Sequence, residues 1–222
     1  MTRKTPRRHQ QGDESRDRIL QATLELASER GYDGTSIALV TERTGLPASS
    51  IYWHFRNKDE LLAATVEYSY VTWRKGAPTW ETRVEFGDTT AEIHDRLHRA
   101  ARALLESPAF WRLGLMLGLE RRPVEPSARG RYLDVRLDTE RAIAHWWSQV
   151  LASIIESGAA PQPPGDADVE EFAGRLARFH LALMDGLFVG LIANDDWDLN
   201  TMIDLVSDGL SAQAVRWLKE AA

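Results

Sequence analysis

Thr35-Ser36-Ile37-Ala38-Leu39-Val40-Thr41-Glu42-Arg43-Thr44-Gly45-Leu46-Pro47-Ala48-Ser49-Ser50-Ile51-Tyr52-Trp53-His54-Phe55-Arg56-Asn57-Lys58 reads as two short helices joined by a tight turn. Thr35 and Ser36 are favourable N-cap residues, and Ile37, Leu39 and Val40 supply apolar positions for the helix that follows. Gly45 permits a turn that a Cβ would oppose, and Pro47 suits the first turn of the next helix. Ile51 and Phe55 lie four apart and share an inward face. The opposite face presents Ala48, Ser49, Ser50, Tyr52, Trp53 and His54. Hydroxyls and imidazole can bond base edges or phosphates, and Ala48 and the rings can touch a thymine methyl. Asn57 can cap a third helix with Glu60 as its capping-box partner, and Lys58 in that first turn can meet a phosphate. Consecutive large rings cannot all enter one core. The plain alternative, a helical hairpin whose rings are core, stays open on pattern alone.

Working outward, the chain reads as all-α, with no strand-like alternation and no internal repeat. The first helix is expected over about Glu14–Arg30 with Gly31 as its stop, and a long helix from Lys58 fades at Lys75-Gly76-Ala77-Pro78. Residues 76–88 read as a connector. Thr89 with Glu92 reads as a capping box for a helix to Glu106. Ser107-Pro108 opens another that ends near Arg122-Pro123, followed by Pro126 to Glu156. A Gly/Pro-rich loop at 157–165 precedes two final helices, Asp168 to Ala193 and Asn200 to Glu220. Three divisions are expected: a basic disordered arm over 1–12, a helix-turn-helix DNA-binding domain of three helices over 13–62, and a helical ligand-binding and dimerisation domain over 63–222.

The chain has 222 residues, 43% hydrophobic and 27% charged, enough for a sizeable core. It has no cysteine, which excludes disulfides, thiolate metal sites and a cysteine nucleophile, and is compatible with the cytoplasm. No apolar run approaches transmembrane length; the best, Leu181 to Ala193, carries Asp185, so no membrane is expected as a partner. The basic N-terminus has no apolar stretch after it and does not read as a secretory signal. Net charge is −6, unevenly placed: residues 1–62 carry 10 basic and 9 acidic residues, residues 63–222 carry 17 and 24. The first twelve residues hold Arg3, Lys4, Arg7 and Arg8 and no acid. That arm could add phosphate or minor-groove contacts, or simply solubilise. The acidic body would repel DNA and leave the head as the contact surface.

Residues 15–65 resemble the DNA-binding domain of the tetracycline-repressor (TetR) family. The resemblance rests on Arg18-Ile19-Leu20-Gln21-Ala22, Glu29-Arg30-Gly31-Tyr32-Asp33-Gly34-Thr35-Ser36, Gly45-Leu46, and Ile51-Tyr52-Trp53-His54-Phe55-Arg56-Asn57-Lys58-Asp59-Glu60-Leu61-Leu62. The combined signature is specific and spans under a quarter of the chain. It implies that Thr35 and Ser36 approach phosphates, that Pro47, Ala48, Ser49, Ser50, Tyr52, Trp53 and His54 form the recognition surface, and that Lys58 anchors backbone. Ala27 stands where many members carry a large aromatic, which implies a looser first helix. Ala48 offers no hydrogen bond where a polar or basic side chain is frequent, which shifts readout toward Ser49, Ser50 and Tyr52.

The last two helices carry large apolar residues and small ones in turn. Phe172, Phe179, Leu183, Gly186, Leu187 and Gly190, with Ile203, Val206, Leu210 and Trp217, are candidates for a four-helix interface between two copies, the place where the resemblance implies a homodimer. An intramolecular core is the alternative. Eight tryptophans are many for this length. Trp73, Phe110, Trp111, Leu115, Met116, Trp147, Leu183, Met184 and Phe188 are candidates for lining an apolar effector pocket, although most helical aromatics are ordinary core. Trp146 and Trp147 are adjacent, so one is expected against a neighbouring helix and the other at a cavity or the dimer. His94 and His98 have a spacing that can hold a metal, but no third ligand is placed by sequence, and solvated face residues are the better reading. His145 and His180 are single. There is no phosphate loop, nucleophile elbow or defensible carboxylate pair, so no cofactor and no enzyme is expected.

These residues imply a homodimeric regulator, most often a repressor in this family, on a palindromic double-stranded operator, released by a small apolar or aromatic effector, with the helix from Lys58 as lever. A regulator governed by a protein partner, or a helical enzyme or small-molecule carrier, are the alternatives.

Overall fold

The computed structural model describes residues 6–80, 89–121, 126–161, 166–194 and 196–221, and all regular structure among them is α-helical. The helices are α1 (Pro6–Gly34), α2 (Ile37–Thr44), α3 (Ala48–His54), α4 (Lys58–Gly76), α5 (Thr89–Glu106), α6 (Pro108–Leu119), α7 (Ser127–Glu156), α8 (Asp166–Ala193) and α9 (Leu199–Ala221). The body helices begin or end within three residues of the expected limits. The first helix differs more. It is helical from Pro6, because adding turns to a nucleated helix costs little. Residues 6–12, expected as disordered arm, are therefore helical, while Arg3 and Lys4 lie outside the described residues. At Gly31 the backbone leaves helical geometry (φ 71°), where the stop was expected.

Two compact units emerge. The first joins α1–α4 to α6 and to α7 as far as Val135; the second joins α5, the rest of α7, α8 and α9. The expected boundary at residue 62 therefore does not coincide with a packing boundary. The cause is visible in two clusters. Ile19, Leu20 and Leu26 of α1 bury against Val40, Ile51, Phe55 and Leu61. On the other side of α1, Leu24 and Ala27 bury against Leu62 and Val66 of α4, Leu113 and Leu117 of α6, and Ala128 and Tyr132 of α7. Each large apolar side chain so buried contributes roughly 1.5–3 kcal/mol. The looseness expected at Ala27 is not found: it is fully buried. Tyr132 packs so closely on α6 that a Cβ on Gly114 would collide with its ring.

In the second unit Ile93 and Leu97, Ile143 and Val150, Leu176 and Met184, and Ile203 and Leu210 are buried. Glu92 departs from its expected capping role. It is buried, accepts from Arg96 Nε at 2.7 Å and from Trp146 Nε1 at 3.4 Å, and Arg96 also donates to the Thr79 carbonyl. Trp146 and Trp147 are both fully buried, with ring centroids 4.7 Å apart, so neither lies on a surface open to a second copy. They flank His180 with Trp80. Taken whole, residues 168–193 of α8 are long and apolar enough to cross a membrane, which the shorter run Leu181 to Ala193 did not suggest. One face is buried in this unit, and Asp185 pairs with Arg136 of α7.

Candidate nucleic-acid interface

Sequence chemistry sets the head locally. Ser36 caps α2, its hydroxyl accepting from Leu39 N at 3.3 Å. Gly45 closes α2 in the left-handed region (φ 66°), where a side chain would be strained. Arg18 of α1 donates to the Thr44 carbonyl, placing a cation at the negative end of α2. Ile51 and Phe55 anchor α3 in the core.

With that face held down, the other is left in solvent. Tyr52 is 55% and Trp53 68% exposed, and Pro47, Ala48 and Ser49 are exposed beside them, with Ser50 half-buried. His54 is half-buried; its Nε2 lies 2.9 Å from Ser15 Oγ, and its ring meets that of Trp53 edge-on at 4.5 Å. Burial, then the charge of Arg16, lowers the His54 pKa against a smaller opposing effect from Asp13, so the imidazole is neutral near pH 7.

Three assignments change. Thr35 is buried and its hydroxyl donates to the Gly31 carbonyl at 2.8 Å, closing the end of α1 instead of facing phosphate. Lys58 lies over the Tyr32 ring at 4.6 Å with Nζ 3.5 Å from the Asp33 carbonyl, so it is engaged with the end of α1. The capping box is only half made. Asn57 Oδ1 accepts from Glu60 N at 2.8 Å, but the Glu60 carboxylate accepts from the backbone and side chain of Arg56. Next to Lys58, Asp59 accepts from Tyr32 Oη and from the Ser127 backbone and hydroxyl. Burial raises its pKa, yet these donors together with Ala128 hold it below the usual carboxylate value.

The residue that sequence reasoning passed over is Arg56. It lies two residues past the end of α3 and pairs in solvent with Glu60 at 2.9 Å. Its position one residue after the buried Phe55 was the available signal.

The expected ligand-lining residues divide. Trp73, Phe110 and Trp111 are buried together in the first unit, with Trp73 stacked on Phe110 at 5.4 Å. Leu115 is half-buried, and Met116 is exposed with its terminal methyl against Gly31, so Met116 lines no interior. Trp147, Met184 and Phe188 are buried in the second unit, where Leu183 is half-buried.

Among the expected interface residues, Ile203, Leu210, Leu187 and Phe172 are buried within the protomer, and Phe172 stacks on Trp217 at 4.0 Å. Gly190 is covered by the Trp197 ring. These belong to the protomer's own core, because the inward faces of α8 and α9 carry the bulk of their apolar residues. Phe179 and Gly186 are exposed, and Leu183 and Val206 half-buried. Ala182, Val189, Leu205 and Gly209 share that outward exposure.

The sequence model of the family described as "Bacterial regulatory proteins, tetR family" matches residues 19–65. A tetracycline repressor protein, class A, of Escherichia coli is 43% identical over 49 residues, covering 22% of this chain and 23% of that one. The chain spans under a third of the length of the first curated relatives it matches. Among solved structures, a transcriptional regulator from Rhodococcus sp. Rha1 superposes with a TM-score of 0.64 at 17% identity over 92% of this chain and 97% of that one. The regulator FadR of Bacillus subtilis, in complex with stearoyl-CoA, superposes with a TM-score of 0.59 at 15% identity over 87% and 96%. The fold is that of these structures, and residues 19–65 match the DNA-binding head of the TetR family of bacterial regulatory proteins.

Proposed function

We propose that the chain is a transcriptional repressor that grips a palindromic double-stranded operator as a homodimer and releases it on binding a small apolar or aromatic effector. The observation that carries this is α3, with Ile51 and Phe55 fully inside and Tyr52 and Trp53 outside. Such a helix is fixed in place and presents its readers on the solvent side, where a major groove can meet them. Ser49, Ser50, Tyr52 and Trp53 read base edges; Ser36, Pro47, Ala48 and His54 border them; Arg56 meets phosphates. Two copies would present two such helices to half-sites about 34–36 Å apart.

Pairing through the outward faces of α8 and α9 is supported by Phe179, Val189 and Leu205, whose exposure in a lone protomer leaves an apolar surface uncovered. The effector reading is supported by the tryptophan-rich helices and by the FadR neighbour, which holds an acyl-CoA. An effector acts only by favouring one conformer, and a coupling of about 1–3 kcal/mol would change operator affinity 5- to 150-fold. Such a regulator would work in the cytoplasm, where the DNA is.

Selection of bound fragments from genomic DNA, followed by gel shift, tests the reading. A single inverted-repeat motif shifted by dimers is expected. Uniform binding to all fragments, or none at low salt, would overturn it.

A further inference from the structure

Outside the head, α5 and α9 carry an unusual match of side chains. His94 and His98 stand one helical turn apart on α5, and Asp204 and Asp208 stand one turn apart on α9 opposite them. His98 Nε2 lies 2.7 Å and His94 Nδ1 3.6 Å from the same Asp204 oxygen. The other His94 nitrogen, Nε2, lies 2.9 Å from Asp208. One ligand atom each from His94, His98 and Asp204 fall within 4.8 Å of one another. The histidines are partly buried and the carboxylates face solvent, so the group opens to water on one side.

We propose that His94 Nδ1, His98 Nε2 and Asp204 Oδ1 bind a divalent transition-metal ion of the zinc type, with water as fourth ligand and Asp208 as positioning residue. Zinc takes imidazole nitrogen and carboxylate oxygen at about 2.0–2.2 Å in a tetrahedron, which places its ligands roughly 3.3 Å apart. The two nitrogen–oxygen spacings bracket that value, and one ligand atom of each residue lies within 4.8 Å of the others, so side-chain rotation can close the set around an ion. Asp208 supplies what a metal-bound imidazole needs from its other nitrogen, an acceptor for the remaining N–H that fixes tautomer and orientation. The donor set suits zinc, cobalt or nickel; magnesium and calcium prefer all-oxygen shells. A bound ion would replace the His98–Asp204 hydrogen bond by a clamp between α5 and α9 and leave His94 bonded to Asp208.

The test uses the untagged full-length chain and cobalt(II) as probe. One equivalent is expected to bind with the visible bands of four-coordinate cobalt, bleached by one equivalent of zinc. His98→Ala and Asp204→Asn are expected to abolish the bands. Asp208→Asn should keep them with affinity lowered about 10- to 100-fold. Absence of bands in the unsubstituted chain, or bands unchanged in His98→Ala and Asp204→Asn, would overturn the site. Should those variants not fold, X-ray absorption on the zinc-loaded unsubstituted chain decides: two imidazoles in the shell support the site, and none overturns it. None of these readouts needs DNA, so the site stands or falls apart from operator binding.

Discussion

The imidazole of His54, the last residue of α3, lies 2.9 Å from the hydroxyl of Ser15 in α1. One hydrogen bond thus ties the end of the third helix to the long first helix, beside the packing of Ile51 and Phe55. A bond of this kind contributes about 0.5–1.5 kcal/mol. His54→Ala is expected to weaken operator binding several-fold while the second unit keeps its melting behaviour. Acid should act in the same direction. The folded-state pKa lies below the unfolded value of 6.5, so the unfolded chain takes up the proton first. The stabilisation is complete above 6.5 and is lost as pH falls through the folded value. Melting of the head followed by Trp53 fluorescence, with and without the substitution, checks both; equal acid sensitivity in the two proteins would dissociate His54 from the effect.

Tyr52 and Trp53 make few demands on the fold. Tyr52→Ala and Trp53→Ala should each leave thermal stability within about 0.5 kcal/mol, as surface substitutions usually do. Operator affinity should fall by about 1–3 kcal/mol if each ring contacts a base. Fluorescence anisotropy on operator and scrambled duplex measures the loss, which should be confined to the operator.

Arg56 and Lys58 should behave differently although both are cations beside α3. Arg56→Ala removes an exposed charge and is expected to reduce the slope of log affinity against log salt by about one, with stability unchanged. Lys58→Ala should add a small loss of stability, about 0.5–1 kcal/mol, because its ammonium rests on the Tyr32 ring. Salt titrations and thermal melts on both variants separate the two roles.

Gly186 offers a clean test of self-association. A Cβ there meets nothing within 4 Å in the protomer, so Gly186→Arg should fold normally. If the outward faces of α8 and α9 pair, a buried guanidinium at their centre prevents it. Sedimentation should show monomers, and affinity for a full palindrome should drop to that of a half-site. A variant that remains dimeric would place the interface elsewhere.

His180 is enclosed by Trp80, Trp146 and Trp147, and burial pushes its pKa down to about 3. Its Nδ1 has no hydrogen-bond partner among the described residues, so protonation is uncompensated there. Because the folded value lies below the unfolded 6.5, stability present above 6.5 is lost progressively on acidification toward 3. At pH 5 the loss is about 2 kcal/mol. His180→Phe should remove most of that acid dependence in denaturant titrations at pH 5 and 7; an unchanged slope would assign it to other groups.

The head was legible because its determinants are local. Gly45, Ser36 and the Ile51–Phe55 spacing act within a few residues, and each falls where the structure uses it. Thr35 was misread because an N-cap type and a buried hydroxyl look alike until the Gly31 carbonyl is placed beside it. Glu92 was misread for a similar reason: its distance from Thr89 fits a capping box, whereas its burial follows from Trp146, 54 residues away. Periodicity identified apolar faces on α8 and α9 but could not say which would meet the protomer and which would be left over. The partners of His94 and His98 lie 114 and 106 residues along the chain, beyond any local pattern.

Glu92 and Arg96 are less than 5% exposed and neutralise each other beneath the surface of α5. Neither can be replaced alone without stranding its counterpart in a dry interior, at about 3–5 kcal/mol, whereas exchanging both for well-fitting apolar residues can be neutral. Inheritance at these positions is therefore joint: viable descendants retain the couple or shed it whole, and a lineage holding just one half would need a compensating change among the side chains packed on it, Trp146 first.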